Sequence, residues 1–257
     1  MLRRPIALVL SLLAATAGTP TMAQENASSA DSDGWSFGFA PYLWAAGMEG
    51  KVATLPPARP AKVDAGFDDI LENLSFAFMG IGEVRYGRFA VIADVIYVDL
   101  EADASTPGPF FSGADFDSEV FIGTFQGSYR VLAAEQGHLD LLAGARVWNV
   151  STELDLNGGL LAARKRDDSE TWVDPIIGAQ GQLRLGAGFY VAALANVGGF
   201  GVGSDLTWDV FGGIGYQAWE WFAPVVGYRH LSVDYDNDGF LYDVDMSGPL
   251  IGGVIRF

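Results

Sequence analysis

The sequence predicts an all-β fold, a transmembrane antiparallel up-and-down β-barrel of ten strands, with eight or twelve strands as alternatives. Three observations support this prediction: ten segments alternate in polarity, their connections are short and long in turn, and charges are confined to one face of each segment. The ten segments are residues 35–45, 75–86, 89–97, 120–131, 139–147, 173–185, 189–200, 208–218, 222–230 and 249–257.

Alternation with a period of two is typical of a strand, because successive side chains point to opposite faces. In the first segment Trp35, Phe37 and Phe39 share one face, and small or polar residues lie between them. Ten residues tilted by about 40° rise roughly 26 Å, which matches the apolar band of an outer-membrane barrel. The segments are therefore long enough to cross a bilayer as strands.

The connections divide into two sets. Short links occur at residues 87–88, 186–188 and 219–221, whereas longer polar connections occupy residues 47–74, 99–119, 149–172 and 231–248. The spacing of Phe67, Ile70, Leu71 and Leu74 predicts a short amphipathic helix within the first long connection. Its apolar stripe is expected to seal the barrel rim, with binding of a partner as the alternative. The strands are therefore expected to be joined by short turns at one end of the barrel and by long loops at the other.

The charged residues predict which solvent each face meets. Where a segment carries two charges, as with Glu83 and Arg85, they are an even number of residues apart and share a face. The opposite face must then contact hydrocarbon, where an exposed Arg or Lys costs roughly 2–4 kcal/mol. The charges predicted to face the interior are Glu83, Arg85, Asp94, Arg130, Asp140, Arg146, Asp174, Arg184, Asp209, Arg229 and Arg256.

These interior charges leave two interpretations of the lumen open. Their near balance favours a network of paired charges that fills a narrow barrel. Alternatively, the lumen is a narrow pore for small solutes, and the arginines near the short-link end would favour anions.

Composition excludes several classes of protein. Half of the 257 residues are hydrophobic, so the chain is not disordered, and a net charge of −17 makes nucleic acid an improbable partner. Arg3 and Arg4 precede a short apolar run that ends in small residues up to Ala23, which predicts a signal peptide. We expect a signal peptide at 1–23, a disordered segment at 24–34 and a barrel domain at 35–257 in the bacterial outer membrane, with both termini periplasmic and the long loops extracellular.

Two resemblances agree with this prediction. The end of the chain, residues 251–257 with the terminal Phe257, resembles the C-terminal signal of bacterial outer-membrane proteins, which implies the barrel-assembly machinery as a partner. Several other stretches resemble an uncharacterised family of proteobacterial outer-membrane β-barrel proteins, including residues 41–44, 67–71, 172–178, 198–205 and 234–242. This second resemblance implies a porin-like small barrel and no particular activity.

One loop has the spacing of a calcium site. Asp234, Asp236 and Asp238 occupy alternate positions before Gly239, and Asp245 stands at the twelfth position of the loop. An acidic hairpin turn is the alternative, and no other cofactor is expected. The remaining long connections are also acidic, which indicates solvated loop charge; the alternative is that divalent cations bridge these loops to lipopolysaccharide phosphates at the membrane surface.

The predicted role is structural or ligand-interacting, without enzymatic activity. The alternative in a different class is a lipid-modifying enzyme of the outer leaflet, because His230 and Ser232 are spaced to share the outward face of a strand. That spacing is similar to the His-x-Ser of lipid A 3-O-deacylases, but the surrounding residues do not match, and apart from the region of Asp234 no acid that could orient His230 is evident in the sequence.

Overall fold

The computed structural model describes residues 34–56, 59–104 and 111–257, so the predicted signal peptide and residues 24–33 lie outside the described residues. The described part contains twelve strands and one helix. They are β1 (Trp35–Trp44), β2 (Gly47–Ala53), β3 (Ala61–Ala65), α1 (Phe67–Glu72), β4 (Leu74–Tyr86), β5 (Phe89–Ala104), β6 (Phe111–Ala134), β7 (Gly137–Gly158), β8 (Arg164–Gly186), β9 (Phe189–Gly199), β10 (Leu206–Tyr216), β11 (Phe222–Asn237) and β12 (Phe240–Arg256).

Ten of the strands in the described residues form a closed antiparallel barrel. Strand β1 pairs with β4, the strands from β4 to β12 pair in sequence order, and β12 pairs with β1 to close the sheet. The predicted ten-stranded barrel is therefore confirmed. The two further strands extend the sheet at the end where the long connections lie, since β2 pairs with β12 and β3 pairs with β2.

Strand β2 continues the path of β1 along β12 after a break at Ala45 and Ala46. The Ala45 amide donates a hydrogen bond to the Pro249 carbonyl, at 2.9 Å, within this break. Gly248 is required beside it, because a Cβ atom there would lie 1.9 Å from the Ala45 carbonyl oxygen. The close approach of these two backbones holds the closing seam of the barrel together.

The strands are longer than the sequence predicted. Most of residues 99–119, 149–172 and 231–248 belong to paired strands, so the prediction that they are loops was wrong. They keep the period of two, but their outward side chains are acidic instead of apolar, which is why they did not resemble membrane strands. We call residues 99–104, 111–119, 149–158 and 164–171 the extension, because they continue β5 to β8 beyond the apolar band.

The helix predicted in the first long connection is confirmed as α1. The Asp69 carboxylate accepts a hydrogen bond from the Gly66 amide, at 3.0 Å, and this bond caps the first turn. Leu71 is 52% exposed, so the apolar stripe of the helix does not seal the barrel rim. Among the residues that the structure describes, no helix is both long and apolar enough to span a membrane.

Candidate functional site

The middle of the lumen holds a charged layer centred on Arg229, whose exposed fraction is 3%. Its Nη2 donates to Asp94 Oδ2 and to Asp209 Oδ2, both at 2.8 Å, and its Nε donates to Asp209 Oδ1 at 3.0 Å. Its Nη1 donates to the Tyr42 hydroxyl at 2.9 Å, and that hydroxyl donates to Asp94 Oδ1 at 2.7 Å. Every nitrogen of this guanidinium therefore has a partner.

Arg146 completes the same layer from the opposite wall. Its Nη2 donates to Asp209 Oδ2 at 2.9 Å, so Asp209 lies between two arginines. Its Nε and Nη1 donate to the hydroxyls of Thr124 and Thr207, at 3.0 and 3.2 Å. Both side chains of the Arg146–Asp209 pair are buried, so both charges have lost their hydration. The additional hydrogen bonds to Arg146 offset this loss.

A second charged layer lies nearer the short links. Arg85 Nη2 donates to Asp140 Oδ2 at 2.7 Å, and its Nε donates to Glu83 Oε1 at 2.9 Å. Arg130 Nε donates to Asp140 Oδ1 at 2.8 Å, so Asp140 also stands between two arginines. The two layers thus repeat one arrangement, a buried aspartate held by two guanidinium groups.

These bonds cross the lumen because they join strands that are not neighbours. Strand β11 is bonded to β5 through Arg229 and Asp94, β7 to β10 through Arg146 and Asp209, and β4 to β7 through Arg85 and Asp140. The Gln126 amide also donates to Asn196 Oδ1, at 3.1 Å, between β6 and β9. Opposite walls of the barrel are therefore tied together by side chains.

An aromatic layer lies beyond the charged ones, towards the extension. Trp172 stacks on Tyr235 with ring centroids 4.0 Å apart and on Trp148 with centroids 5.6 Å apart. Tyr42, Trp44, Phe240 and Tyr242 belong to the same buried cluster. This layer was not predicted from the sequence. The signal for it was present, because Trp148 and Trp172 each lie two residues from a predicted interior charge and therefore share the inward face of their strands.

The structure places the predicted interior charges in three groups. Glu83 and Arg130 are partly buried partners in the second layer, and Arg184 and Arg256 are exposed at the short-link mouth. Arg184 donates to the Glu135 carbonyl and Arg256 to Gln217 Oε1, so these two arginines lie outside the ion-pair network. The seven buried members are Arg85, Asp94, Asp140, Arg146, Asp174, Asp209 and Arg229.

Asp174 differs from the other buried aspartates. It is directly opposite Arg146 in the sheet, yet Asp174 Oδ1 accepts its hydrogen bond from the Ser204 amide, at 2.7 Å. The connection between β9 and β10 thus folds inward, since Ser204 is fully buried. Asp174 holds this connection against the aromatic layer instead of joining the charged one.

The four predicted calcium ligands do not converge. Asp234 and Asp236 lie in β11, and Asp238 and Gly239 form a two-residue turn with φ of 49° and 89°. Asp245 lies on β12 directly opposite Ser232. It is seven residues further along the chain than Asp238, which in an extended strand corresponds to roughly 20 Å. No cluster of three metal-ligating side chains occurs among the described residues. The pairing of Asn237 with Phe240 makes this stretch a β-hairpin that is rich in aspartate.

His230 and Ser232 face the outside of the barrel. The His230 ring stacks on Trp208 with centroids 4.3 Å apart, and its Nε2 lies 3.4 Å from Asp245 Oδ1. Asp245 is directly opposite Ser232 on β12. The acid that was not evident in the sequence is therefore beside His230, because the hairpin between β11 and β12 brings it there.

The outer surface of the barrel is apolar around its middle. Leu43, Val91 and Ile251 are 70%, 65% and 59% exposed, and aromatic side chains flank them near the short links. The aromatic pairs there include Phe89 with Tyr129 and Phe189 with Tyr216, with ring centroids 5.0 and 4.9 Å apart. An apolar band with an aromatic border is the surface that a bilayer requires.

The outer face of the extension is strongly acidic. Glu101 lies directly opposite Asp117, and Asp117 lies directly opposite Glu153, on three neighbouring strands. Loss of hydration, followed by the charges of Glu101 and Glu153, raises the pKa of Asp117. Like charges directly opposite one another in a sheet are destabilising, so this face costs folding energy.

Comparison with known proteins gives a fold and no family. No family model and no curated protein matches the chain. Among solved structures, the outer membrane protease OmpT of Escherichia coli is 11% identical with a TM-score of 0.53, covering 89% of this chain and 100% of that one. Ail, the attachment invasion locus protein of Yersinia pestis, is 14% identical with a TM-score of 0.36, covering 88% of this chain and 100% of that one.

Neisserial surface protein A is a further match, at 14% identity and a TM-score of 0.37, covering 87% of this chain and 99% of that one. At such low identity the likeness to OmpT shows a shared fold and carries nothing about activity. The class that the fold and the lumen define is a closed antiparallel β-barrel with an apolar exterior and a charged interior.

The charged layer leads to a prediction about stability. Arg229→Met leaves Asp94 and Asp209 with less compensation in a buried site, so the free energy of unfolding should fall by about 3–5 kcal/mol. Arg184→Met, at an exposed position, should change it by less than about 0.5 kcal/mol. Urea unfolding of the refolded barrel measures both changes, with the heat-modifiable mobility on SDS gels as the readout of the folded fraction. Equal losses of stability in Arg229→Met and Arg184→Met would contradict the role of Arg229.

The acidic outer face leads to a prediction about pH. Because the pKa of Asp117 is raised in the folded state, that state binds a proton at a higher pH than the unfolded chain does. Stability should therefore decrease as the pH rises through this pKa. Asp117→Asn should stabilise the barrel at pH 7, by about 0.5 kcal/mol, and have no effect near pH 3. A variant equally stabilised at both pH values would show that charge is not the cause.

Proposed function

We propose that this protein is an integral β-barrel of the bacterial outer membrane, with a closed lumen and a structural or ligand-interacting role. The apolar band supports the membrane location, because water would not favour exposed Leu43, Val91 and Ile251 around the whole barrel. In this proposal the short links and both termini are periplasmic, and the extension projects outside the cell. Lipid and lipopolysaccharide are then its immediate neighbours.

The C-terminal residue supports the same location. Phe257 is 78% exposed, and its amide donates to the Phe37 carbonyl at 3.0 Å across the closing seam. Phe257 is an accessible aromatic residue directly after β12, and it is thus available to the barrel-assembly machinery, which we propose as the partner of this protein during insertion.

The observation that carries the closed lumen is the set of ion pairs across it. A solute crossing the barrel would have to displace Arg229 from Asp94 and Asp209, and Arg146 from Asp209. Removing one partner of a buried pair costs about 3–5 kcal/mol, and several pairs lie in series along the axis. The aromatic stack of Trp148, Trp172 and Tyr235 adds an apolar layer that an ion would also have to pass.

Conductance tests this proposal directly. The purified protein in a planar bilayer should give no stable ionic current. Arg146→Ala combined with Asp209→Ala removes the Arg146–Asp209 and Arg229–Asp209 pairs and leaves Arg229 paired with Asp94. This variant should also give no stable current, because the second charged layer and the aromatic layer still block the lumen. Heat-modifiable mobility confirms that each preparation is folded. Stable channels in the parent protein would overturn the closed lumen and favour the narrow pore.

A second candidate function is hydrolysis of an ester in an outer-leaflet lipid. The observation that favours it is the position of Asp245, 3.4 Å from His230 Nε2 and opposite Ser232. In such a reaction His230 would take the hydroxyl proton as Ser232 Oγ attacks the ester carbonyl, and would return it to the departing alcohol; water would then release the acid. Among the described contacts no hydrogen bond joins Ser232 to His230, so we rank this function second.

Mass spectrometry of lipid A distinguishes the two candidates. Cells that produce the parent protein should have the same lipid A as cells that lack it, and His230→Ala should change nothing. A loss of one acyl chain that depends on His230, Ser232 and Asp245, but not on the stacked Trp208, would make the enzyme the better description.

A further inference from the structure

The inner face of the extension is mostly apolar on β5 to β7, in contrast to its acidic outer face, whereas on β8 it carries Arg164, Arg166, Asp168 and Glu170. Glu170 accepts a hydrogen bond from Tyr235, at 2.7 Å, so the even-numbered residues of β8 face the mouth of the barrel. The register places Ala102, Phe116 and Leu154 in one row across β5, β6 and β7, on this same face. Phe116 is 39% exposed, so the row forms an open apolar surface.

Two arginines border this surface. Arg166 is directly opposite Leu154, and Arg164 is directly opposite Leu156. Neither guanidinium forms an ion pair with a carboxylate among the described residues. Lys165, between them in sequence, points to the outer face and pairs with Glu153. On the inner face, the contacts of the described residues thus leave Arg164 and Arg166 without an ion pair beside the partly buried Leu154 and Leu156, and Asp168 lies two residues from Arg166 on the same face.

An open depression of about 550 Å³ lies against the ends of β7 and β8, lined by Leu154, Leu156 and the segment Arg164–Arg166. Within that segment Arg164 and Arg166 face the inside, whereas the side chain of Lys165 is held by Glu153 on the outer face. Sites for small molecules are usually 300–1,000 Å³, mostly apolar, with a few polar groups that orient the ligand. Leu160 and Leu161, in the connection between β7 and β8, are 74% and 45% exposed. Size and lining therefore fit a small amphiphilic ligand.

We propose that the inner face of the extension binds a single-chain amphiphilic anion, such as a medium-chain fatty acid. The carboxylate would receive hydrogen bonds from Arg164 and Arg166, whose planar groups suit bidentate contact with carboxylates. The chain would lie over Leu154, Leu156 and Phe116. The charge of the two arginines selects an anion, and the adjacent leucines select an apolar body.

The position of the depression decides where the ligand comes from. Leu156 lies eight residues beyond Trp148 on the tilted strand β7. It is therefore roughly 20 Å further from the apolar band than Trp148 is. The acyl chains of membrane lipids do not reach this height, so the ligand enters from the medium as a monomer. This inference rests on the proposed closed lumen, because the aromatic and charged layers below make the depression a binding site and not an entrance.

Calorimetry in nanodiscs of zwitterionic lipid tests the proposal. Octanoate and octanol, which share an apolar chain and differ in charge, are titrated into discs with the full barrel and into empty discs. Octanoate should bind the barrel above the background of empty discs. Arg164→Gln combined with Arg166→Gln should weaken octanoate binding at least tenfold and change octanol binding less than twofold. Leu154→Ser should weaken both.

A matched control has the same change in net charge. Arg184→Gln combined with Arg256→Gln removes two exposed arginines at the short-link mouth and should leave octanoate binding unchanged. Octanoate binding no stronger than to empty discs, or equal in the two double variants, overturns the proposal. Conductance of the same preparations is read separately: channels in the parent would refute the closed lumen, whereas absent binding with a closed lumen would refute only this site.

Discussion

The pairing of Arg146 and Arg229 with Asp209 is the interaction on which the rest of the structure depends. A barrel with an apolar exterior has no other place for its charges than the lumen, and three unpaired charges there would be more costly than the fold can offset. Because each guanidinium nitrogen of Arg229 has an acceptor, the layer is satisfied without water. The same bonds tie opposite walls together, so the contacts that satisfy the charges also cross the lumen.

The polarity of the two faces reverses along the strands of the extension. In the apolar band, β6 points Phe125 outward and Gln126 inward; in the extension the same strand points Asp117 outward and Phe116 inward. The reversal marks the level at which the surroundings change from hydrocarbon to water. A closed sheet can continue across that level because its backbone pairing is independent of which face is apolar.

This reversal explains how much of the fold the sequence could predict. Strands such as β4 and β9 were found because an apolar face alternates with small or charged residues throughout their length. The ends of β5 to β8 were predicted as loops because only apolar outward faces were taken as strands. The period of two was present in the acidic stretch 99–119 all along, but its meaning depends on knowing which solvent the outer face contacts.

The candidate site was predicted as a set of residues but not as an arrangement. Parity places Arg229 and Asp94 on the inward face, yet they are 135 residues apart, and their contact depends on the curvature of the closed sheet. Neighbours in register are also not always partners: Asp174 lies opposite Arg146 and binds Ser204 instead. The meeting of His230 with Asp245 likewise follows from the register of one hairpin, which composition and spacing do not determine.

The extension separates two electrostatic environments by the thickness of one sheet. Its outer face repels anions, and at physiological salt this repulsion is screened within about 8 Å. Arg164 and Arg166, on the other face of β8, are exposed to the space above the mouth, where Glu170 is already occupied by Tyr235 and Asn237. In the proposed binding mode, an anion is disfavoured on the outside of the extension and held on the inside. The acidic outer surface costs stability, and under this proposal it would confine anionic ligands to the face where apolar side chains can also contribute to binding.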